Sequence, residues 1–166
     1  MCGIIGVIGH NKVSSLLIEG LKRLEYRGYD SAGIATLLNG KIDRRRSLGK
    51  IENLRKLLKK SPIKGNVGIG HTRWATHGIP SKTNAHPHSS GDVAVVHNGI
   101  IENYDVLRKG LEKKNFVFQS DTDTEVIAHL ISFFLKKNLS PLKATITALK
   151  KVEGAFALGI IFSGID

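Results

Sequence analysis

Cysteine stands second in this chain and occurs nowhere else in it. Once Met1 is removed, a thiol and a free α-amine share one residue, which supplies a nucleophile and a general base together. The amine, with an ordinary pKa of about 7.7–8.0, is partly neutral near pH 7. The thiol, near 8.5, then stands a modest step from thiolate. While Met1 is attached, the nitrogen of Cys2 is an amide and cannot act as a base. The competing reading is a small hydrophobe buried in a first strand, where free cysteine is common.

Three further segments are too polar for core: Gly70-His71-Thr72-Arg73-Trp74-Ala75-Thr76-His77-Gly78, Asn84-Ala85-His86-Pro87-His88 and Val96-His97-Asn98-Gly99-Ile100-Ile101-Glu102-Asn103. Each falls at the end of an apolar run, where a rigid scaffold presents catalytic groups. A thiol attacking a carbonyl needs donors for the oxyanion, and the Asn98 amide with the Gly99 N–H can provide two. A substrate with an amino-acid end needs a cation and an anion. Arg73 can bind a carboxylate through two parallel hydrogen bonds, and Asp123 can receive an ammonium. Singly, each residue has a plainer reading. Asn98-Gly99 is a hairpin turn signal, Asp123 complements a helix dipole, and Arg73 is a surface ion-pair partner. The seven histidines come without H-E-x-x-H or a cysteine pair, so no metal is implied. There is no Walker loop, and Gly3-x-x-Gly6-x-x-Gly9 lacks dinucleotide spacing, so no cofactor is implied either.

These groups need strands and helices to hold them. Residues 3–8 read as a short buried strand. A helix follows with Asn11 as a candidate cap and Val13, Leu16, Leu17, Leu21 and Leu24 on one face. Residues 34–38 and 41–45 flank Asn39-Gly40, a hairpin signal. Ile51, Leu54, Leu57 and Leu58 mark a short helix that stops before Pro62. Residues 67–72 and 93–97 read as strands, 104–114 as a helix with Leu107 and Leu111 inward, and 116–118 as a short edge strand. Thr122 and Glu125 are spaced as a capping box ahead of a helix carrying Val126, Ile127, Leu130, Ile131 and Phe134. Pro141 suits the first turn of a last helix reaching about residue 151, and 155–162 is a final strand. The mixture fits a layered strand-and-helix domain and does not compel a parallel sheet.

The 166 residues suffice for one domain with a real core. No apolar run is long enough to span a bilayer, and the N-terminal stretch, interrupted by glycines, is a poor signal peptide. With a single cysteine and no internal disulfide, the cytoplasm is the expected compartment. The net charge of +11 raises nucleic acid as a partner. The basic residues are spread along helix-like segments without interleaved aromatics, so solvated helix faces are expected and nucleic acid is not. The one concentrated patch is Arg44-Arg45-Arg46.

Together with Cys2-Gly3-Ile4-Ile5-Gly6, Leu24-Glu25-Tyr26-Arg27-Gly28-Tyr29-Asp30-Ser31-Ala32-Gly33 and Ser120-Asp121-Thr122-Asp123-Thr124-Glu125, the three polar segments resemble the glutaminase domain of the glucosamine-6-phosphate synthase family. That family is a branch of the class II glutamine amidotransferases, within the N-terminal nucleophile hydrolases. The resemblance implies an α+β fold, a four-layer α/β/β/α sandwich with Cys2 at the terminus of an inner strand. It implies L-glutamine as substrate, hydrolysed through a thioester. Cys2 would be nucleophile and base, and Asn98 with Gly99 the oxyanion hole. Arg73, Thr76, His77 and Asp123 would hold the amino-acid end, and Trp74 would lie where ammonia leaves. Arg27, His86 and His97 would support the site. The family's domain continues past residue 166, so 1–166 is read as one glutaminase domain lacking its last strands and the sugar isomerase partner domain. The uncovered edge then invites association, with a homodimer as its expected form. A catalytically silent fragment of the same fold, binding glutamine or a partner chain, is the alternative function.

Overall fold

The computed structural model describes residues 2–10 and 12–164. The expected cap at Asn11 and the fate of Met1 lie outside the described residues. In chain order the elements are β1 (Gly3–Ile8), α1 (Ser14–Leu24), a 3-10 turn (Glu25–Arg27), β2 (Ser31–Leu38), β3 (Lys41–Leu48), α2 (Ile51–Lys60), β4 (Val67–Arg73), β5 (His88–Ser90), β6 (Val93–Ile101), α3 (Tyr104–Glu112), α4 (Thr124–Leu135), α5 (Pro141–Leu149) and β7 (Gly154–Phe162).

Two antiparallel sheets form, one ordered β1-β4-β2-β3 and the other β5-β6-β7. Alternation of side chains along each strand gives every sheet two faces to bury. Ile5, Val7, Ala32 and Ile34 cover one face of the larger sheet and pack with Leu17, Leu21 and Leu54 of α1 and α2. On its other face Ile4, Ala35, Val67 and Ile69 meet Ala94, Val96 and Ile161 of the smaller sheet. Val93 and Val95 point the opposite way and pack under Ile127, Ile131 and Ala148 of α4 and α5. Three cores between four layers make an α/β/β/α sandwich.

Local chemistry explains two of the boundaries. Asn39 and Gly40 have φ of 49° and 71°, the paired positive values that a two-residue type I′ hairpin requires. Pro141 opens α5, where its missing N–H has no intrahelical acceptor to satisfy.

Several expectations need correction. Leu16 is 57% exposed while Val13, Leu17 and Leu21 are wholly buried, so the inward stripe of α1 is narrower than its leucines suggest. Residues 116–118 are not a strand. The rings of Phe116 and Phe118 instead pack against His129, 5.2 and 4.5 Å between centroids, and pin a loop to α4. The Thr122–Glu125 capping box does not form. The Glu125 carboxylate accepts from Gln119 N, Ser120 N and Ser120 Oγ and ties down the preceding loop. Asn98-Gly99 is no turn but lies inside β6. Among the described residues β1 pairs only with β4, so Cys2 precedes an edge strand and not an inner one. The Arg44–Arg46 run is no solvated patch. Arg44 donates to the Pro87 carbonyl and Arg46 to those of Thr83 and Ala85, so the run fastens the loop before β5. Burial brings Arg46 down to about 10. The lysine pairs after α3, α4 and α5 do sit where a helix C-terminus favours cations. No helix among the described residues is long and apolar enough to cross a membrane.

Candidate active site

Period-two alternation carries the inter-sheet core directly into the site. On β4 the inward series Val67, Ile69 continues as His71 and Arg73, and on β6 Ala94, Val96 continues as Asn98. On the first strand Cys2 precedes inward Ile4 by two residues. The apolar core thus turns polar at one end of the sandwich. There a cavity of about 420 Å³ is lined by Cys2, Arg27, Arg73, Trp74, Thr76, His77, His86, His97, Asn98, Gly99 and Asp123, among others. It gathers every residue expected at the site.

The Cys2 thiol is part of the lining of this cavity. Trp74 N–H donates to Cys2 Sγ at 3.2 Å. Burial pushes the Cys2 thiol up from its ordinary value, with the Trp74 hydrogen bond and nearby Arg73 opposing and Asp30 reinforcing the rise. The modest step to thiolate expected from the free amino acid is therefore a larger one here. Trp74 itself is half exposed and packs edge-on to Tyr29.

Beside the thiol, Asn98 Nδ2 donates to the Cys2 carbonyl oxygen at 3.1 Å. Gly99 has φ of 133°, and an added Cβ would stand 2.1 Å from the Ala155 carbonyl oxygen, so no other residue fits its place in the strand.

The two charged groups differ in readiness. Asp123 precedes α4 but caps nothing with its side chain. Its Oδ2 accepts from Ile101 N–H at 2.9 Å, and its Oδ1 lies 4.0 Å from His97 Nδ1, which leaves acceptor capacity toward the cavity. Arg73, 3% exposed, has its Nη2 already donating to the carbonyls of His77 and Gly78. Its Nη1 reaches toward Ile79 O at 3.5 Å and Asp30 at 3.9 Å. The fork expected to grip a carboxylate is thus partly engaged by the loop that follows it. Thr76 is exposed on that loop, and His77 packs edge-on against Tyr104.

His86 and His97 meet at one hydroxyl. Thr124 Oγ1 lies 2.7 Å from His86 Nε2 and 2.9 Å from His97 Nδ1. Burial lowers both imidazoles below their ordinary range, with Asp123 partly offsetting this at His97. Three participants escaped the sequence reading. Asp30 accepts from Ala75 N–H and Ser31 Oγ, so it fastens the turn that carries Trp74. Thr124 bridges the histidines. His71 Nε2 lies 2.9 Å from Asn98 Oδ1. A signal existed for His71, since two residues before Arg73 on a strand means the same face.

The arrangement offers a thiol, an adjacent side-chain amide, and a carboxylate and a guanidinium set apart in one cavity. No group of three or more potential metal ligands is found among the described residues. Residues 71–164 match the family model described as "Glutamine amidotransferase domain". The chain is 58% identical over 164 residues to a glutamine–fructose-6-phosphate aminotransferase (isomerizing) of Mesorhizobium japonicum, covering 99% of this chain and 27% of that protein. It is 57% identical over 166 residues to the enzyme of the same name from Bartonella henselae, again spanning 27% of its length. Among solved structures, the B. subtilis glutamine phosphoribosylpyrophosphate amidotransferase superposes with a TM-score of 0.83 at 29% identity. That alignment covers 98% of this chain and 35% of the other. The chain therefore spans about a quarter of the length of these curated relatives.

Proposed function

The chain belongs to the glutamine amidotransferase domain family, and from that premise we propose that it hydrolyses the side-chain amide of L-glutamine with Cys2 as the nucleophile. The Cys2 sulfur adds to the amide carbonyl carbon, and the thiol proton passes through the α-amine to the departing nitrogen. Ammonia leaves as the thioester forms, and water then releases glutamate and restores the thiol. The observation that carries this reading is the convergence of Cys2, Asn98, Gly99, Arg73 and Asp123 on one cavity. A raised thiol is consistent with a mechanism that needs its own base.

In this reading Asn98 and Gly99 stabilise the oxyanion, Asp123 takes the α-ammonium, and Arg73 with Thr76 and His77 takes the α-carboxylate. Trp74 borders the route by which ammonia departs. The relatives are named glutamine–fructose-6-phosphate aminotransferase (isomerizing), so in a longer protein of that kind the ammonia would pass to fructose-6-phosphate at a sugar isomerase domain and give glucosamine-6-phosphate.

The engagement of Arg73 by the His77 and Gly78 carbonyls favours a second reading, a silent fragment that keeps the fold. Turnover separates the two. The Met1-free chain should release glutamate and ammonia in equal amounts from glutamine, and Cys2→Ala should abolish this with unchanged circular dichroism. Unchanged turnover in Cys2→Ala excludes the proposed nucleophile.

A further inference from the structure

An asparagine can serve an oxyanion only if its NH₂ end, not its carbonyl, faces the reacting atom. Rotation of the amide by half a turn exchanges the ends with little change of shape, so the orientation must be held. At Asn98 one end is held by Nδ2 donating to the Cys2 carbonyl oxygen, 3.1 Å away. The other is held by Oδ1, 2.9 Å from His71 Nε2. The same Nε2 lies 2.9 Å from the His97 carbonyl oxygen, which can only accept. Nε2 therefore carries the ring proton and donates to two acceptors. A reversed amide would set NH₂ against N–H at His71 and carbonyl against carbonyl at Cys2. Two hydrogen bonds would become two repulsions.

We infer that His71 is a positioning residue that locks the Asn98 amide and leaves the second Nδ2–H free for the cavity. Its bearing on catalysis rests on the glutamine hydrolysis proposed above. The ring is itself fixed. His71 is 1% exposed and stacks on His86 with centroids 4.1 Å apart and planes 26° apart. His86 is anchored in turn to Thr124 Oγ1. His71 Nδ1 is buried without a hydrogen-bond partner among the described residues, so nothing favours a proton there. Burial also holds the imidazole down to about 4, so one neutral form persists at working pH.

The test compares His71→Gln, whose amide nitrogen can reach the place of Nε2, with His71→Met, of similar reach and no donor. In glutamine hydrolysis His71→Met should lose about 10-fold or more in kcat, bounded by the roughly 10²–10³ of a whole oxyanion donor, with KM little changed. His71→Gln should recover most of that loss. The double variant His71→Met/Asn98→Ala should be no slower than Asn98→Ala alone, because the two residues act as one unit. Equal kcat in the Met and Gln variants, or additive losses in the double, overturns the inference. A wild type without turnover sinks the functional reading but leaves this one decidable. The same holds if neither variant folds. In either case the ¹⁵N spectrum of wild-type His71 decides the matter. The Nε2–H tautomer is expected at neutral pH, and an Nδ1–H tautomer overturns the positioning role outright.

Discussion

Cys2, the proposed nucleophile, has surroundings that work against its ionisation. Burial raises the thiol, and among the described residues the hydrogen bonds of its sulfur are to the Trp74 backbone, so the proposed base is the α-amine that removal of Met1 would free. Chain that retains Met1 should therefore hydrolyse glutamine at a background rate, read by assaying the separated forms. Asn98→Ala should lower kcat by about 10²–10³ while KM moves little, the signature of a donor used only in the transition state. A change confined to KM would make Asn98 a binding residue. Asp123→Asn should act at the other end of the substrate. The variant should lose the preference for glutamine over an analogue lacking the α-ammonium, and steady-state competition between the two substrates checks it. Among residues, the grouping of Cys2, Asn98, Arg73 and Asp123 around one cavity was legible because their chemistry is rare in combination. His71 was not, because its role depends on which atom of Asn98 it meets, and only three-dimensional contact reveals that.

β4 and β6 show how strands turn a core into a site. Both begin apolar between the sheets and end polar at the cavity, without a change of face. The strand reading caught this alternation through residue 97 and ended β6 early, because Asn98-Gly99 has the composition of a turn. What keeps the chain extended there is the ladder to β7, with Asn98 opposite Ala157 and Gly99 opposite Phe156. Such long-range pairing overrides a local signal. Gly99→Ala tests it. A side chain at φ 133°, pressed on the Ala155 carbonyl, should separate β7 from β6. The strain alone is worth about 1–3 kcal/mol. The urea midpoint should fall accordingly, and an unchanged midpoint would show that β7 yields freely. The failed strand at 116–118 and the unformed capping box have a related cause. Aromatic contact with His129 and three donors converging on Glu125 outweigh local propensity.

At the scale of the whole molecule, apolar periodicity gave the mixed strands and helices and the family resemblance gave the four layers, but the use of charge was not legible. Arginines counted as surface hold a loop, and histidines counted singly are buried together. That burial sets a pH limit. His71 is held to about 4 and His88 to about 3, below the ordinary 6.5, so the unfolded chain takes up protons first on acidification. Their contribution to stability is complete above about pH 6.5 and declines by roughly 1.4 kcal/mol per pH unit for each as pH falls toward 4. Glu125, brought to about 2 by its hydrogen bonds against burial, adds a loss that begins near the ordinary carboxylate value of 4.5 and runs down toward pH 2. Urea titrations should show a steep fall between pH 6.5 and 4.5, and a flat profile would contradict the buried histidine cluster. The measurement that bears most directly on the central claim is the intact mass of the chain before and after a glutamine-mimicking alkylator. One adduct is expected, on Cys2, formed by the Met1-free species and suppressed by glutamine. Labelling at equal rate with Met1 in place, or an adduct on another residue, would contradict it.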